Sequence, residues 1–184
     1  MRRLVAIMQC LIITVTLGLG AVADETGFVE HINMLAGDAR VIGGKVTLKG
    51  TDRLTTKASF HPPVEIDITA KTDSTNLRIA YAADQIIFNW EGCPAELRVD
   101  GGPAGGKHRA GSGQIPRNKF VTVKWLVLPT KQQVFVDGDL RFEHQGDYSQ
   151  VLRPVSVFCY ESRVTVTSIR VRSLPEKPDA KTRP

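Results

Sequence analysis

Residues 120–142 read FVTVKWLVLPTKQQVFVDGDLRF, and this stretch decides the fold. Val121, Val123, Trp125 and Val127 recur at every second position, the period of a β-strand with one face on a core. Leu126 and Leu128 add apolar residues on the opposite side, so this strand is expected to be buried on both faces. Leu128-Pro129-Thr130-Lys131-Gln132-Gln133 reads as a turn. Val134 and Val136 then resume the alternation and meet Asp137-Gly138, followed by Leu140 and Phe142. Asp-Gly supplies the positive φ that a tight hairpin turn needs, so a second strand should fold back here on a third.

The same period runs outward in both directions. Val64, Ile66 and Ile68 alternate with Glu65, Asp67 and Thr69, and Leu77, Ile79 and Tyr81 with Arg78 and Ala80. Ile86, Phe88 and Trp90 follow, then Leu97 and Val99 around Arg98, and later Val155, Val157 and Cys159. Each run is short, rich in β-branched residues and bounded by Gly, Pro, Asp or Asn. In the closing run Val164 and Val166 keep one register and Ile169 and Val171 the other. The slip at Thr167-Ser168 predicts a β-bulge or a twist that moves the strand between faces. Helix signal is confined to a turn or two after Thr26, where Phe28, Ile32 and Leu35 would share a face. Many short strands with almost no helix imply an all-β, antiparallel β-sandwich.

The chain opens with Arg2 and Arg3, an apolar run from Leu4 to Leu19 and an A-x-A pattern at residues 21–23. This is the pattern of a secretory signal peptide cut after Ala23, and it points to a secreted or periplasmic protein without stable membrane insertion after cleavage. The alternative is an uncleaved anchor, weakened by Gln9, Gly18 and Gly20. Residues 24–174 then form one domain, and residues 175–184, rich in proline and charge, form a disordered tail. The formal charge of +5 becomes +3 once the two arginines of the leader are removed. So mild a charge gives no reason to expect nucleic-acid binding. Cys93 and Cys159 remain after cleavage. In an exported chain they allow a single disulfide; the other reading is two free thiols.

Gly101, Gly106 and Lys107 match most of a phosphate-binding loop. His108 stands where the magnesium-holding hydroxyl belongs, and the following His-Arg-Ala-Gly-Ser-Gly-Gln-Ile-Pro cannot start the helix whose N-terminus would face a phosphate. Nucleotide binding is therefore not expected, and the segment reads as a glycine-rich loop of the kind that shapes a rim. Of His31, His61, His108 and His144, none is at metal-ligand spacing, and His108 alone lies in a loop with site character. Ser112 lacks a nucleophile-elbow frame. No metal or cofactor is expected beyond calcium, for which Asp137, Asp139 and Asp147 are the candidates. They lack EF-hand spacing, and turn aspartates are ordinarily structural.

Residues 118–144 (NKFVTVKWLVLPTKQQVFVDGDLRFEH) resemble the laminin-G-like and concanavalin A-like lectin/glucanase superfamily. The earlier GGKVTLKGTDRLTTKASF with VEIDITAKTD, and the closing VTVTSIRVRSL, look like the first and last strands of exported 3-keto-disaccharide hydrolase-like domains in that superfamily. The resemblance spans residues 27–174. It implies a jelly roll of two antiparallel sheets, one of them concave and able to bind glycans. The superfamily's glucanases carry E-x-D-x-E or the same motif one residue longer. Here Glu65 and Asp67 match, but Thr69 or Ala70 stands where the last Glu belongs, so the acid pair needed for glycoside hydrolysis is incomplete.

These readings converge on a non-catalytic carbohydrate-binding module, with an extracytoplasmic protein as the other partner class. Glu65 and Asp67 would accept sugar hydroxyls, Arg78 and Arg98 would donate, and Asp100 and His108 would border the site. Trp90 would stack on a sugar if it faces outward; continuing Ile86 and Phe88, it would instead join the core. The alternatives are a glycosidase-type enzyme acting on a disaccharide or its keto derivative, and a structural or protein-interaction module.

Overall fold

The computed structural model describes residues 32–36, 40–42 and 44–175. The leader, residues 26–31 of the expected helix, His31 among them, and the tail beyond Pro175 lie outside the described residues. The strands are β1 (Ile32–Ala36), β2 (Arg40–Ile42), β3 (Lys45–Gly50), β4 (Arg53–Thr56), β5 (Val64–Thr72), β6 (Leu77–Ala80) and β7 (Gln85–Phe88). After them come β8 (Arg98–Asp100), β9 (Val121–Leu128), β10 (Lys131–Val136), β11 (Asp139–Gln145), β12 (Ser156–Phe158) and β13 (Ser162–Ser173). Every pairing is antiparallel. They build a six-stranded sheet, β1-β4-β12-β6-β7-β8, and a seven-stranded sheet, β11-β10-β9-β5-β13-β3-β2. This is the expected antiparallel sandwich.

The core follows the alternation. Val64, Ile66, Ile68 and Ala70 of β5 and Val121, Val123, Trp125 and Val127 of β9 are buried, and Leu77, Ile79, Ile86 and Phe88 meet them from the other sheet. Burial of such side chains contributes about 1.5–3 kcal/mol each, the main force holding the sheets together. The Asp137-Gly138 turn has φ of 50° and 92°, and β10 and β11 pair across it as the hairpin signal requires. The register of β13 against β5 shifts between Val166 and Ser168. That bulge lets Val164 and Val166 on one side of it, and Ile169 and Val171 on the other, all pack on the same core.

Three details depart from the expectations. Ile32–Ala36 is a strand, because pairing with Arg53–Thr56 supplies the ladder bonds that a short helix would lack. The turn before β10 is shorter than LPTKQQ: Lys131 already pairs with Leu128, leaving Pro129-Thr130 between them. Leu126 and Leu128 are half-buried rather than core residues, since their side of β9 is the outer face of the sheet.

The cysteines also differ from the bridged reading. Both are free thiols: Cys93 is exposed in the turn after Trp90, and Cys159 is buried with its Sγ toward the carbonyls of Gly50 and Asp52. Burial and then the Asp52 charge push the Cys159 thiol up to about 11, so it is inert at neutral pH. In the native protein a maleimide should label Cys93 within minutes and Cys159 only after denaturant, as read by peptide mapping. Protection of both until a reductant is added would reinstate the bridge.

Candidate functional site

The site is built on the outer face of the six-stranded sheet. Phe158 of β12 lies opposite Arg53 of β4 on one side and Arg78 of β6 on the other; Arg78 and Arg98 in turn both face Ile87 of β7. Because directly opposed residues share a face, Arg53, Phe158, Arg78, Ile87 and Arg98 form one row across five strands. Ile87 is buried yet stands outside the inter-sheet core, beneath the neighbouring arginine stems. A second row carries Thr55, Ser156, Gln85 and Asp100, with the Thr55 and Ser156 hydroxyls 2.8 Å apart.

Hydrogen bonds tie these rows into one network. Arg78 Nη2 donates to Asn76 Oδ1 at 2.9 Å, and its Nη1 to Gln85 Oε1 at 3.1 Å. Gln85 Nε2 donates to Asp100 Oδ2 at 2.7 Å, which also accepts from Arg98 Nε at 2.9 Å. Glu91 reaches Arg78 Nη2 at 3.4 Å. Such mutual bonding fixes rotamers in advance, so a ligand is met by oriented groups.

Each arginine of the row lies near an aromatic ring. The guanidinium carbon is 3.9 Å from the Phe158 centroid for Arg53, 4.8 Å from Tyr160 for Arg78 and 4.6 Å from Trp90 for Arg98. Trp90 is therefore not in the core. Asn89, at φ 51°, breaks the alternation after Phe88 and turns the next side chain onto the polar face. The Asn89 carboxamide holds Ile115 N–H at 2.9 Å and Ile115 C=O at 3.0 Å, which anchors this turn to the distant return of the glycine loop.

That loop has a positional role. Gly102, at φ 65°, lies where a Cβ would come within 2.2 Å of the Ala82 carbonyl oxygen, so only glycine allows this approach. The chain then folds back on β8: Leu97 and Arg109 exchange backbone hydrogen bonds at 2.8 and 2.9 Å. This places His108 beside the network, with Nδ1 2.9 Å from Glu96 Oε1 and Nε2 3.7 Å from Asp100 Oδ1. No helix follows Lys107; the loop frames the rim instead.

Arg78, Trp90, Arg98, Asp100 and His108 thus come together. Glu65 and Asp67 do not: they lie on the outer face of the other sheet. There Lys124 Nζ is 3.4 Å from Glu65 and 3.9 Å from Asp67, and Arg172 contacts both. Burial raises the Glu65 carboxyl, but hydrogen bonds from Arg172 and Lys124 outweigh it and hold the pKa below the ordinary value. A carboxylate kept ionised is the opposite of what a glycosidic proton donor needs. Asp137 caps Thr122 N–H at 2.8 Å and Asp147 binds Ser149 N–H at 2.9 Å, so these calcium candidates serve turns. His61 binds the Pro62 carbonyl and His144 the Tyr148 hydroxyl.

Residues the sequence did not single out complete the face, Arg53, Gln85, Glu96 and Tyr160, or lie buried against its arginines, Asn76 and Phe158. Gln85 carried one usable signal, its alternation with Ile86. Arg53 and Phe158 carried none, because they meet only through the non-local insertion of β12 between β4 and β6.

No family model and no curated protein matches this sequence. Solved structures do match in three dimensions. The carbohydrate-binding module CBM66 from Bacillus subtilis superposes with a TM-score of 0.54 at 10% identity, over 78% of this chain and 96% of that one. The endo-beta-1,3-glucanase from Pyrococcus furiosus gives 0.54 at 15% identity, over 73% and 77%. The metal-free carbohydrate recognition domain of Emp46p gives 0.59 at 9% identity, over 84% and 94%. At such low identity the likeness is one of architecture: this chain has the concanavalin A-like fold, a jelly-roll sandwich of two antiparallel sheets.

Proposed function

We propose that the outer face of the six-stranded sheet binds a saccharide without turning it over. The observation that carries this reading is the Asn76–Arg78–Gln85–Asp100–Arg98 network beside the partly exposed rings of Trp90 and Tyr160. Sugars need hydrogen-bonding groups of both kinds next to apolar surface, and this face offers donors and acceptors already oriented. The fold is shared with a carbohydrate-binding module and a carbohydrate recognition domain, which adds support by analogy.

A hydrolase acting on a disaccharide derivative is the second reading. It draws on Glu96 and Asp100, the carboxylates on either side of His108. Export to the periplasm or medium is part of the proposal, consistent with the leader-like residues 1–23.

Thermal-shift and calorimetric titrations test both readings with neutral and acidic oligosaccharides, with and without calcium. A ligand that binds only the folded protein raises Tm. W90A and R98A are expected to weaken the responding sugar about tenfold or more, the scale of one lost hot-spot contact of about 1.4 kcal/mol. Product formation abolished by D100N or E96Q would favour the hydrolase. The absence of any sugar response would overturn the saccharide reading and move the function to a protein partner.

A further inference from the structure

The three arginines of the outer row are not equivalent. Arg98 is paired with Asp100 at 2.9 Å, Arg78 with Glu91 at 3.4 Å, and the nearby Arg153 with Asp84 at 2.8 Å. Arg53 has no carboxylate within ion-pair distance among the described residues. Asp52, its chain neighbour, is buried on the other side of the strand and accepts Lys49 N–H at 3.0 Å. Phe158 holds the Arg53 guanidinium against the sheet, with its carbon 3.9 Å from the ring centroid. Burial, and then the charge of Arg153, make the cation less favourable there. A charged group stripped of part of its water and facing a like charge is one that an incoming anion stabilises.

The row also sets a spacing. Arg53 and Arg78 are separated by one intervening strand, β12, and Arg78 and Arg98 by another, β7. At about 4.8 Å per strand, successive arginines stand roughly 10 Å apart. This is comparable with one disaccharide unit of an extended chain, so a sugar bound at Trp90 and Arg98 can continue across the sheet toward Arg53.

We propose that Arg53 is an acid-reading subsite that receives the carboxylate of a uronic-acid residue, making an acidic oligosaccharide the preferred ligand of this face. A planar carboxylate matches the guanidinium fork, which a neutral hydroxymethyl group cannot do. Its neighbours Thr55 and Ser156 are buried and bonded to each other, so they brace the sheet beside Arg53 and leave the guanidinium as the ligand-facing group. This inference rests on the saccharide reading above and names its ligand class.

The test compares a tetrasaccharide of alternating glucuronic acid and N-acetylglucosamine with its carboxyl-reduced counterpart and with a sulfated neutral tetrasaccharide, by calorimetry on the purified protein. The acidic chain is expected to bind about tenfold more tightly than the reduced one, with the difference shrinking as salt is raised. R53Q should bring the acidic ligand down to the affinity of the reduced one. R53K, which keeps charge but loses the fork, should retain part of the preference. Equal binding of acidic and reduced chains, both weakened by W90A, would overturn the acid subsite and leave the saccharide reading standing. A preference for the sulfated chain over the uronic one would overturn the carboxylate assignment. No binding of any of the three would overturn this inference together with the reading beneath it.

Discussion

Replacing Trp125 with alanine is expected to cost about 4–8 kcal/mol of folding stability, a large share of what a domain of this size possesses. The indole is fully buried on β9 and meets Tyr81, which follows β6 in the other sheet, edge to face at 6.0 Å. It therefore bridges the two layers. Its Nε1 donates to Gln132 Oε1 at 2.8 Å, and Gln132 is itself fully buried. The alanine variant loses the ring's contacts, opens a cavity and leaves that amide oxygen without its donor. The first two effects are worth about 3–5 kcal/mol and the third about 1–3. W125F separates them. It keeps most of the ring volume and loses the hydrogen bond, so it should cost about 2 kcal/mol. Urea unfolding of both variants provides the check, and the phenylalanine variant remains measurable if the alanine one does not fold. A cost below 1 kcal/mol for W125F would mean that Gln132 finds another donor.

Alternation made the sandwich legible and also explains where reading stopped. Val64–Thr72 and Val121–Leu128 alternate cleanly, and their inward residues are the core. The same alternation places Glu65, Asp67, Arg78 and Arg98 on outer faces, correctly in each case. It is silent on which sheet each strand joins. Glu65 and Asp67 went to one sheet and Arg78 and Arg98 to the other, so residues with equal claims on a site ended on opposite sides of the molecule. Sheet order is set by pairing between distant segments, above all the insertion of β12 between β4 and β6. That insertion brought Phe158 between Arg53 and Arg78. No local pattern records it.

The glycine loop shows the reverse. Its resemblance to a phosphate loop fails on residues visible in the sequence, His108 and the proline-limited segment after Lys107. What could not be read is its return to Leu97, which delivers His108 to Glu96 and Asp100. Trp90 is the sharpest instance. Period two continued from Ile86 and Phe88 places it inside, and a single left-handed residue reverses that.

That residue, Asn89, gives the second large effect. N89A is expected to destabilise the protein by about 3 kcal/mol. Asn89 is buried, and its side chain serves both polar groups of Ile115 as well as the Ser74 carbonyl at 3.3 Å. Alanine leaves buried backbone groups unpaired, at about 1–3 kcal/mol, and must hold φ 51° without the local hydrogen bonding that lets asparagine tolerate it, at about 1 kcal/mol more. N89G removes the same side chain but accepts the backbone, so it should be about 1 kcal/mol milder than N89A. Equal costs would show that position 89 relaxes out of the left-handed region when its side chain is removed. The optical consequence is separable from stability. The chain has two tryptophans, so in a W125F background the fluorescence is that of Trp90 alone. With Asn89 intact, Trp90 is half-buried beneath Arg98. If the turn loosens in N89A, its emission shifts to the red and saccharide affinity falls with it. An unchanged spectrum in a destabilised N89A would show instead that the Arg98 stack alone orients the ring.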